Sequence, residues 1–205
     1  RQRQMCIRDS ITVAGDFDGA AANNFTPTGG TLTMDGSGAD AGITMHSSAN
    51  FYNLTVNSGS YDVDAGSNFD VDGALTVSGG ELDVLARTVT VAGASDVASG
   101  ATLNINGSGV YDANGSFDAN GGTINMDGTA KLQLASTVTN LGTLDDAAGT
   151  VEYDGGVQDV FADNYYNLVI DQSGNKTAQG TVNVANDLTI SNSCLLYTSD
   201  AADEG

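Results

Sequence analysis

The chain has 205 residues, with 26 Asp or Glu against 6 Lys or Arg, and its formal net charge at pH 7 is −20. This charge excludes a nucleic-acid-binding role, because phosphate binding needs Lys and Arg to release counterions. No apolar run is long enough to predict a membrane span. Regular Val, Ile, Leu, Phe and Tyr residues distinguish the chain from acidic disordered tails.

The two ends of the chain, residues 1–10 and 194–205, are predicted to be non-native. Back-translated residues 5–9 and 194–198 are reverse complements of each other in a shifted frame, and both resemble the end adapter of a sequencing library. Segments of this kind are excluded from fold prediction. We therefore expect both ends to pack poorly and to lie outside the fold.

The natural segment is predicted to be residues 11–193, as a part of a longer protein. Both cysteines, Cys6 and Cys194, fall outside it. Without a cysteine, the segment has no disulfide framework, thiolate metal site or cysteine nucleophile.

Short runs of alternating apolar and polar residues follow one another along this segment, and no helical period is present. Alternation places apolar side chains on one face of a β-strand and polar side chains on the other. Gly, Asn and Ser turn signals follow the runs. In chain order, the clearest predicted strands are 30–36, 52–56, 74–77, 88–91, 102–105 and 181–184. The residues predicted to face inward are Leu54, Val56, Leu75, Val77, Val89, Val91, Leu103, Ile105, Ile124, Val151, Leu168, Ile170, Val182 and Val184.

The strands also repeat. A Gly-Thr-apolar pattern recurs at 30–36, 122–128 and 149–155, and four apolar residues (Leu75, Val89, Leu103 and Phe117) follow one another at equal intervals. Short repeats cannot bury their own apolar faces and must stack on their neighbours. We predict an all-β fold, a right-handed parallel β-helix or β-solenoid. The alternative is a series of tandem β-sandwich repeats, which typically have longer strands and a buried Trp; this chain has no Trp.

Four aspartates are candidate calcium ligands, namely Asp62, Asp64, Asp70 and Asp72. Calcium takes several carboxylate and carbonyl oxygens, and these residues are close in sequence. The EF-hand pattern fails, however, since Gly73 stands where that loop requires Glu. The alternative is plain strand alternation, with the aspartates pointing outward into water. No other cofactor is predicted.

Evidence for catalysis is sparse. The chain has one histidine, His46, and no Gly-x-Ser-x-Gly motif. The pair Asp145–Asp146 could serve a polysaccharide hydrolase, but its setting favours a turn. Lyase chemistry needs clustered basic residues, whereas those of the natural segment are scattered. We predict no catalytic residues and no enzyme activity.

Residues 149–158, 165–170 and 175–184 resemble repeats of long bacterial surface proteins, namely the adhesin, autotransporter-passenger and filamentous-haemagglutinin-like β-helix proteins. The resemblance implies an exported protein, extracellular or at the cell surface, with a structural or adhesive role. We expect weak, multivalent binding to glycans or other surface proteins, and no membrane insertion in this segment. The alternatives are a β-helix polysaccharide-active enzyme, lyase or hydrolase, and a calcium- or glycan-binding module.

Overall fold

The structure, a computed structural model, describes residues 10–21, 27–38, 40–64, 68–192 and 194–198. These residues form β-strands joined by short turns, and none of them belongs to an apolar helix of membrane-spanning length. The strands are β1 (Ile11–Val13), β2 (Phe17–Gly19), β3 (Thr31–Asp35), β4 (Ala41–Met45), β5 (Asn50–Phe51), β6 (Asn53–Ser58), β7 (Ser60–Val63), β8 (Phe69–Val71), β9 (Leu75–Val77), β10 (Glu81–Asp83), β11 (Thr88–Val91), β12 (Ser95–Val97), β13 (Thr102–Ile105), β14 (Val110–Ala113), β15 (Phe117–Asp118), β16 (Thr123–Met126), β17 (Lys131–Leu134), β18 (Val138–Asn140), β19 (Thr143–Asp145), β20 (Thr150–Tyr153), β21 (Gln158–Val160), β22 (Asn164–Ile170), β23 (Asn175–Ala178), β24 (Asn183–Ile190) and β25 (Leu195–Thr198).

The strands stack into four parallel sheets. Sheet A has the order β1-β3-β6-β9-β12-β15-β18, sheet B β19-β16-β13-β10-β7-β4-β2, sheet C β24-β22-β20-β17-β14-β11-β8-β5, and sheet D β21-β23-β25. Each strand pairs with its counterpart one coil away, so that Leu54 faces Leu75 and Leu82 faces Leu103. The fold is therefore a parallel β-solenoid, as predicted, and the β-sandwich alternative is wrong, because sandwich sheets are antiparallel.

The equal spacing of four apolar residues in the sequence has a geometric origin. Leu75 lies in sheet A, Val89 in sheet C, Leu103 in sheet B and Phe117 in sheet A again. One coil runs from Leu54 to its partner Leu75 and contributes a strand to each of three sheets. The step from one of the four residues to the next therefore spans two of the three sides of a coil, and all four side chains point into the core.

The interior is filled by apolar side chains from all sides of the coils. Of the predicted inward residues, all but Val182 and Val184 are buried. These two valines are only half-buried. They belong to the last coil, where β24 has a described neighbour on one side only, β22. The core has an aromatic stack at one end, where the Phe51 ring packs against Phe17 and edge-on against Phe69.

Tight corners between sheets A and B depend on glycine. Gly59 and Gly80 stack on each other in successive coils with positive φ angles of 83° and 70°. A Cβ atom on Gly80 would lie 2.0 Å from the Gly59 carbonyl oxygen. Only glycine adopts this left-handed conformation without steric cost and also allows the two backbones to approach this closely.

The cross-section of the solenoid changes along its axis. Sheets A and B end at β18 and β19, whereas sheet C continues to β24 and sheet D begins at β21. The N-terminal coils are consequently three-sided, and the C-terminal coils are built from sheets C and D.

The C-terminal segment differs from its prediction where it is described. Leu195–Thr198 forms β25, which pairs in parallel with β23, and Cys194 is half-buried against the core. An unpaired sheet edge offers a row of backbone donors and acceptors that almost any extended chain can satisfy. Cys6, with residues 1–9, and residues 199–205 lie outside the described residues, and the adapter origin of both ends stays a prediction.

Candidate functional site

The four candidate calcium ligands are divided between two sheets. Asp62 lies in β7 of sheet B, with Asp64 directly after that strand. Asp70 lies in β8 of sheet C, and Asp72 follows it and accepts a hydrogen bond from the Asn50 amide. Within the described parts of the chain, no three His, Cys, Asp or Glu side chains are grouped closely enough to hold a metal ion. Calcium binding by these residues remains a prediction.

Asp62 sits instead in a crowded acidic environment on the outward face of sheet B. It pairs in register with Asp83 in the next coil. Partial burial raises the pKa of Asp62, and the negative charges of Asp83, Asp40, Asp64 and Glu81 raise it further. The ionised form of Asp62 therefore opposes folding at neutral pH, because burial and the neighbouring negative charges both disfavour it.

The two carboxylates of the candidate hydrolase pair, Asp145 and Asp146, do not face a common site. Asp145 ends β19 and is exposed on the outward face of sheet B, in register with Asn125. The Asp146 carboxylate accepts a hydrogen bond of 2.6 Å from the backbone N–H of Tyr166, and burial raises its pKa. Asp146 therefore holds a turn, and the two carboxylates have different surroundings.

His46 is likewise engaged locally. Its Nδ1 lies 2.8 Å from the Ser48 hydroxyl and accepts the backbone N–H of Ser48 at 3.2 Å. This arrangement closes the turn after β4.

Sheet B carries a continuous polar row on its outward face that the sequence did not reveal. The register places Asp62, Asp83, Asn104, Asn125 and Asp145 side by side in five successive coils. We call these five residues the sheet B row. Their nearly constant spacing in the sequence, one coil length per step, is the signal that could have found them.

Hydrogen bonds link the sheet B row to its neighbours. The Asn125 amide donates to the Asn104 oxygen at 2.8 Å, and the Asn104 amide donates to Glu81 at 2.6 Å. Asn106 donates to Asp83 at 2.9 Å. Beside the row is a shallow groove of about 250 Å³, lined by Asn104, Asn106, Asn125, Met126, Asp127, Asp145 and Ala147. This face presents amide and carboxylate groups in fixed positions and has the chemistry to hydrogen-bond hydroxyl groups.

Sheet A has a different outward face. Thr12, Thr33, Thr55 and Thr76 form an in-register column across four coils. The column continues as Asp96 and Asp118, and the pKa of Asp96 is raised by burial and by the charge of Asp118. This column is therefore uncharged in its first four coils and acidic in the next two.

One basic residue, Lys176, is fully buried at a corner of the C-terminal coils. Its Nζ donates to the carbonyl oxygens of Gly155 at 2.6 Å, Gly156 at 2.7 Å and Asp171 at 3.0 Å. One coil earlier, the buried Gln158 amide occupies the same register position and donates to the carbonyls of Leu134 and Ser136. Both side chains donate to backbone carbonyls at the ends of neighbouring strands and in the turns beside them, as buried polar groups generally require. The role of Lys176 is thus structural.

Acidification is expected to stabilise this protein between neutral pH and about pH 5. Burial is the leading cause of a raised pKa at Asp62, Asp83, Asp96, Asp112, Asp146 and Asp154. A raised folded-state pKa means that the folded protein binds the proton more tightly than the unfolded chain does. The resulting penalty at neutral pH is relieved as the pH falls through the folded-state value. Thermal unfolding at low ionic strength should therefore give a higher midpoint at about pH 5 than at about pH 8.

Two other aspartates, the exposed Asp35 and the half-buried Asp171, act in the opposite direction. Hydrogen bonds lower the pKa of Asp35, chiefly from Asn57, and that of Asp171, chiefly from the Gln172 backbone.

Asp62→Asn is the control for the predicted stabilisation by acid. It should raise the unfolding midpoint at neutral pH and reduce the gain in the midpoint on acidification. A midpoint that falls steadily from neutral pH to about pH 5 would show that the crowded aspartates do not dominate.

Comparison with known proteins adds no family. No family model matches the chain, and no significant match was found among curated proteins or solved structures. The class of protein therefore rests on the geometry described above: a parallel β-solenoid with polar outward faces and a filled interior.

Proposed function

We propose that the chain is an extended structural scaffold of the extracellular space or cell surface, with adhesive side faces and no catalytic activity. The observation that carries this proposal is the stacking of coils around a core filled by their own side chains. Such a body has length and lateral surface instead of a central cavity. The resemblance of residues 149–158, 165–170 and 175–184 to bacterial surface repeats supports export and adhesion.

The partner class that best fits the lateral surface is neutral glycans. The groove beside the sheet B row offers amide and carboxylate groups that suit sugar hydroxyls. The net charge of −20 opposes binding to acidic polymers and to anionic membranes. Because the groove is shallow and the row repeats, each contact is weak, and useful affinity comes from many contacts at once.

The enzyme alternative has less support. A retaining or inverting hydrolase needs two carboxyl groups that face one glycosidic bond. Asp146 is committed to the Tyr166 backbone, whereas Asp145 is exposed on sheet B.

The test is a panel of neutral and acidic polysaccharides, assayed for binding and for cleavage. We expect no new reducing ends, and binding to neutral polymers that strengthens by roughly a hundredfold or more when copies of the chain are displayed together on beads. Asn125→Ala should weaken this binding, whereas Thr55→Ala, on the outward face of sheet A, should not. Cleavage that is lost in Asp145→Asn would overturn the scaffold proposal. Binding that is equally tight for single and displayed copies would overturn its multivalent part.

A further inference from the structure

Three Asn-Gly pairs lie in neighbouring turns of the solenoid, at 106–107, 114–115 and 120–121. The side-chain amide of an asparagine is an electrophile, and the backbone nitrogen of the following residue can attack it to form a cyclic imide. Glycine favours this reaction, because it has no side chain to shield its nitrogen and it permits the backbone rotation that ring closure needs. The rate in a folded protein depends on how firmly the structure holds the two reacting groups.

The pair Asn106–Gly107 is held at both reacting groups. The Gly107 N–H donates to the Asp127 carboxylate at 2.6 Å, and the Asn106 amide donates to Asp83 at 2.9 Å. The Gly107 carbonyl also accepts from the backbone N–H and the hydroxyl of Thr129, at 2.6 Å and 3.1 Å. The nitrogen must lose its proton before it attacks, and a negative charge on it beside the Asp127 carboxylate is electrostatically unfavourable. This pair is therefore protected.

The pair Asn114–Gly115 is restrained by packing. The Asn114 amide donates to the Asp112 carboxylate at 3.1 Å, and the Asn114 backbone N–H donates to the Val91 carbonyl at 2.9 Å. Gly115 is half-buried against the preceding coil, where a Cβ atom on it would lie 2.0 Å from the Gly93 carbonyl oxygen. Contacts this close oppose rotation of the peptide group between Asn114 and Gly115.

The pair Asn120–Gly121 differs from the other two, at the corner between β15 and β16. Both residues are exposed, and in the described part of the chain neither the Asn120 amide nor the Gly121 N–H has a hydrogen-bond partner. The bonds that hold this pair run from the Asn120 backbone N–H to Asp118 and from the Gly100 N–H to the Gly121 carbonyl. Neither bond involves a reacting group, so both groups are free to react when this turn opens.

We propose that Asn120 is a site of spontaneous deamidation in the folded protein, and that Asn106 and Asn114 are protected until their coils unfold. The Gly121 nitrogen gives its proton to solvent and attacks Cγ of Asn120. The N–Cγ bond forms, and the Cγ–Nδ2 bond breaks as ammonia leaves with a proton from solvent. Water then opens the imide: attack at Cγ leaves aspartate, and attack at the backbone carbonyl carbon leaves isoaspartate, in which the chain runs through Cβ and Cγ.

The reaction adds negative charge to a surface that is already acidic. The Asp118 carboxylate contacts the Asn120 backbone, and Asp118 lies in register with Asp96 in the preceding coil. A further carboxylate at this corner increases the repulsion between these groups. Isoaspartate also lengthens the backbone of a turn that is hydrogen-bonded to Gly100. Deamidation therefore weakens this corner of the solenoid.

The experiment is to incubate the folded full chain at mildly alkaline pH and to follow deamidation with time by tryptic digestion and mass spectrometry. Arg87 and Lys131 bound one tryptic peptide that carries all three Asn-Gly pairs, so fragment ions compare the three rates within one molecule. We expect Asn120 to react at least about tenfold faster than Asn106, whose hydrogen bonds to carboxylates must break first. In urea the three rates should become similar.

Asp127→Ala tests the source of the protection. It frees the Gly107 N–H and should accelerate the reaction at Asn106, whereas the rates at Asn114 and Asn120 should stay the same. Far-ultraviolet circular dichroism establishes that the variant keeps its strands. An unchanged rate at Asn106, or an equal rise at Asn114, would show that the Asp127 contact is not what protects Asn106.

The folded chain itself decides the main proposal. Equal rates at the three pairs would overturn it, because the structure would then give no selectivity. The proposal also fails if Asn120 stays intact in the folded chain over a period in which the chain in urea reacts.

Discussion

Replacing Leu103 with Asn should destabilise the protein by about 3–5 kcal/mol and break its unfolding into separate steps. Leu103 is fully buried in β13, between Leu82 and Ile124 in the neighbouring coils. The substitution removes apolar contacts and buries an amide among side chains that offer it no partner. Because a coil contacts only its neighbours, the damage should stay local, and the coils on either side should keep part of their stability.

Hydrogen exchange followed by mass spectrometry is the measurement for this prediction. Protection should fall most in β10, β13 and β16 and least in β20 and β22. Thr102→Asn is the control, since it adds the same amide one residue earlier, on the outward face. Uniform loss of protection along the whole chain would show that the solenoid unfolds as one cooperative unit.

Replacing Lys176 with Met is expected to cost about 2–4 kcal/mol of folding free energy. Methionine approximates the length of the lysine stem but cannot donate, so three carbonyl oxygens at the corner lose their shared partner. The Gly155 carbonyl is buried, and a buried acceptor that loses its partner carries a desolvation penalty that the apolar side chain does not offset. The free energy of unfolding from denaturant titration gives the size of the effect.

Lys131→Met provides the comparison for Lys176. Lys131 makes an ion pair with Glu152 at 2.9 Å, but its side chain is 38 % exposed. A partly exposed pair of this kind contributes about 1 kcal/mol or less. If Lys131→Met were as destabilising as Lys176→Met, the carbonyl contacts of Lys176 would not be the source of its effect.

The fold was largely predictable because apolar and polar residues alternate along each strand, and the apolar ones are those that the core buries. Alternation in segments such as 52–56 and 102–105 identifies which residues point inward. Val182 and Val184 are only half-buried because, among the described residues, β24 has a neighbour on one side only. The three-sided coil was harder to predict. Leu75, Val89 and Leu103 follow one another at a regular interval, but this interval alone does not give the number of strands in each coil.

The outward surfaces were not predictable from the sequence to the same degree. Asp62 and Asp70 are close in sequence and look like one cluster, yet a corner between β7 and β8 places them on different sheets. Conversely, Asn104 and Asn125 are far apart in sequence and become hydrogen-bonded neighbours. Both outcomes depend on the coil length, because it sets which residues share a column.

Lys176 was missed for a related reason. In the sequence it is one of a few scattered basic residues, and lysine is rarely buried. Its burial follows from the register with Gln158, which places a long polar side chain beside turn carbonyls in successive coils. The contact between Lys176 and these carbonyls is apparent only once the coils are stacked.

The coil length also determines how far such a molecule reaches. Each coil, such as the one from Leu54 to Leu75, advances the solenoid by one inter-strand spacing of about 4.8 Å. The same stretch of chain in a single α-helix would extend about 31 Å. A β-solenoid is therefore short for its number of residues but broad and stiff. A scaffold of this type that spans a given distance needs roughly six to seven times as many residues as a helical one, and it displays a wide ribbon of side chains along its whole height.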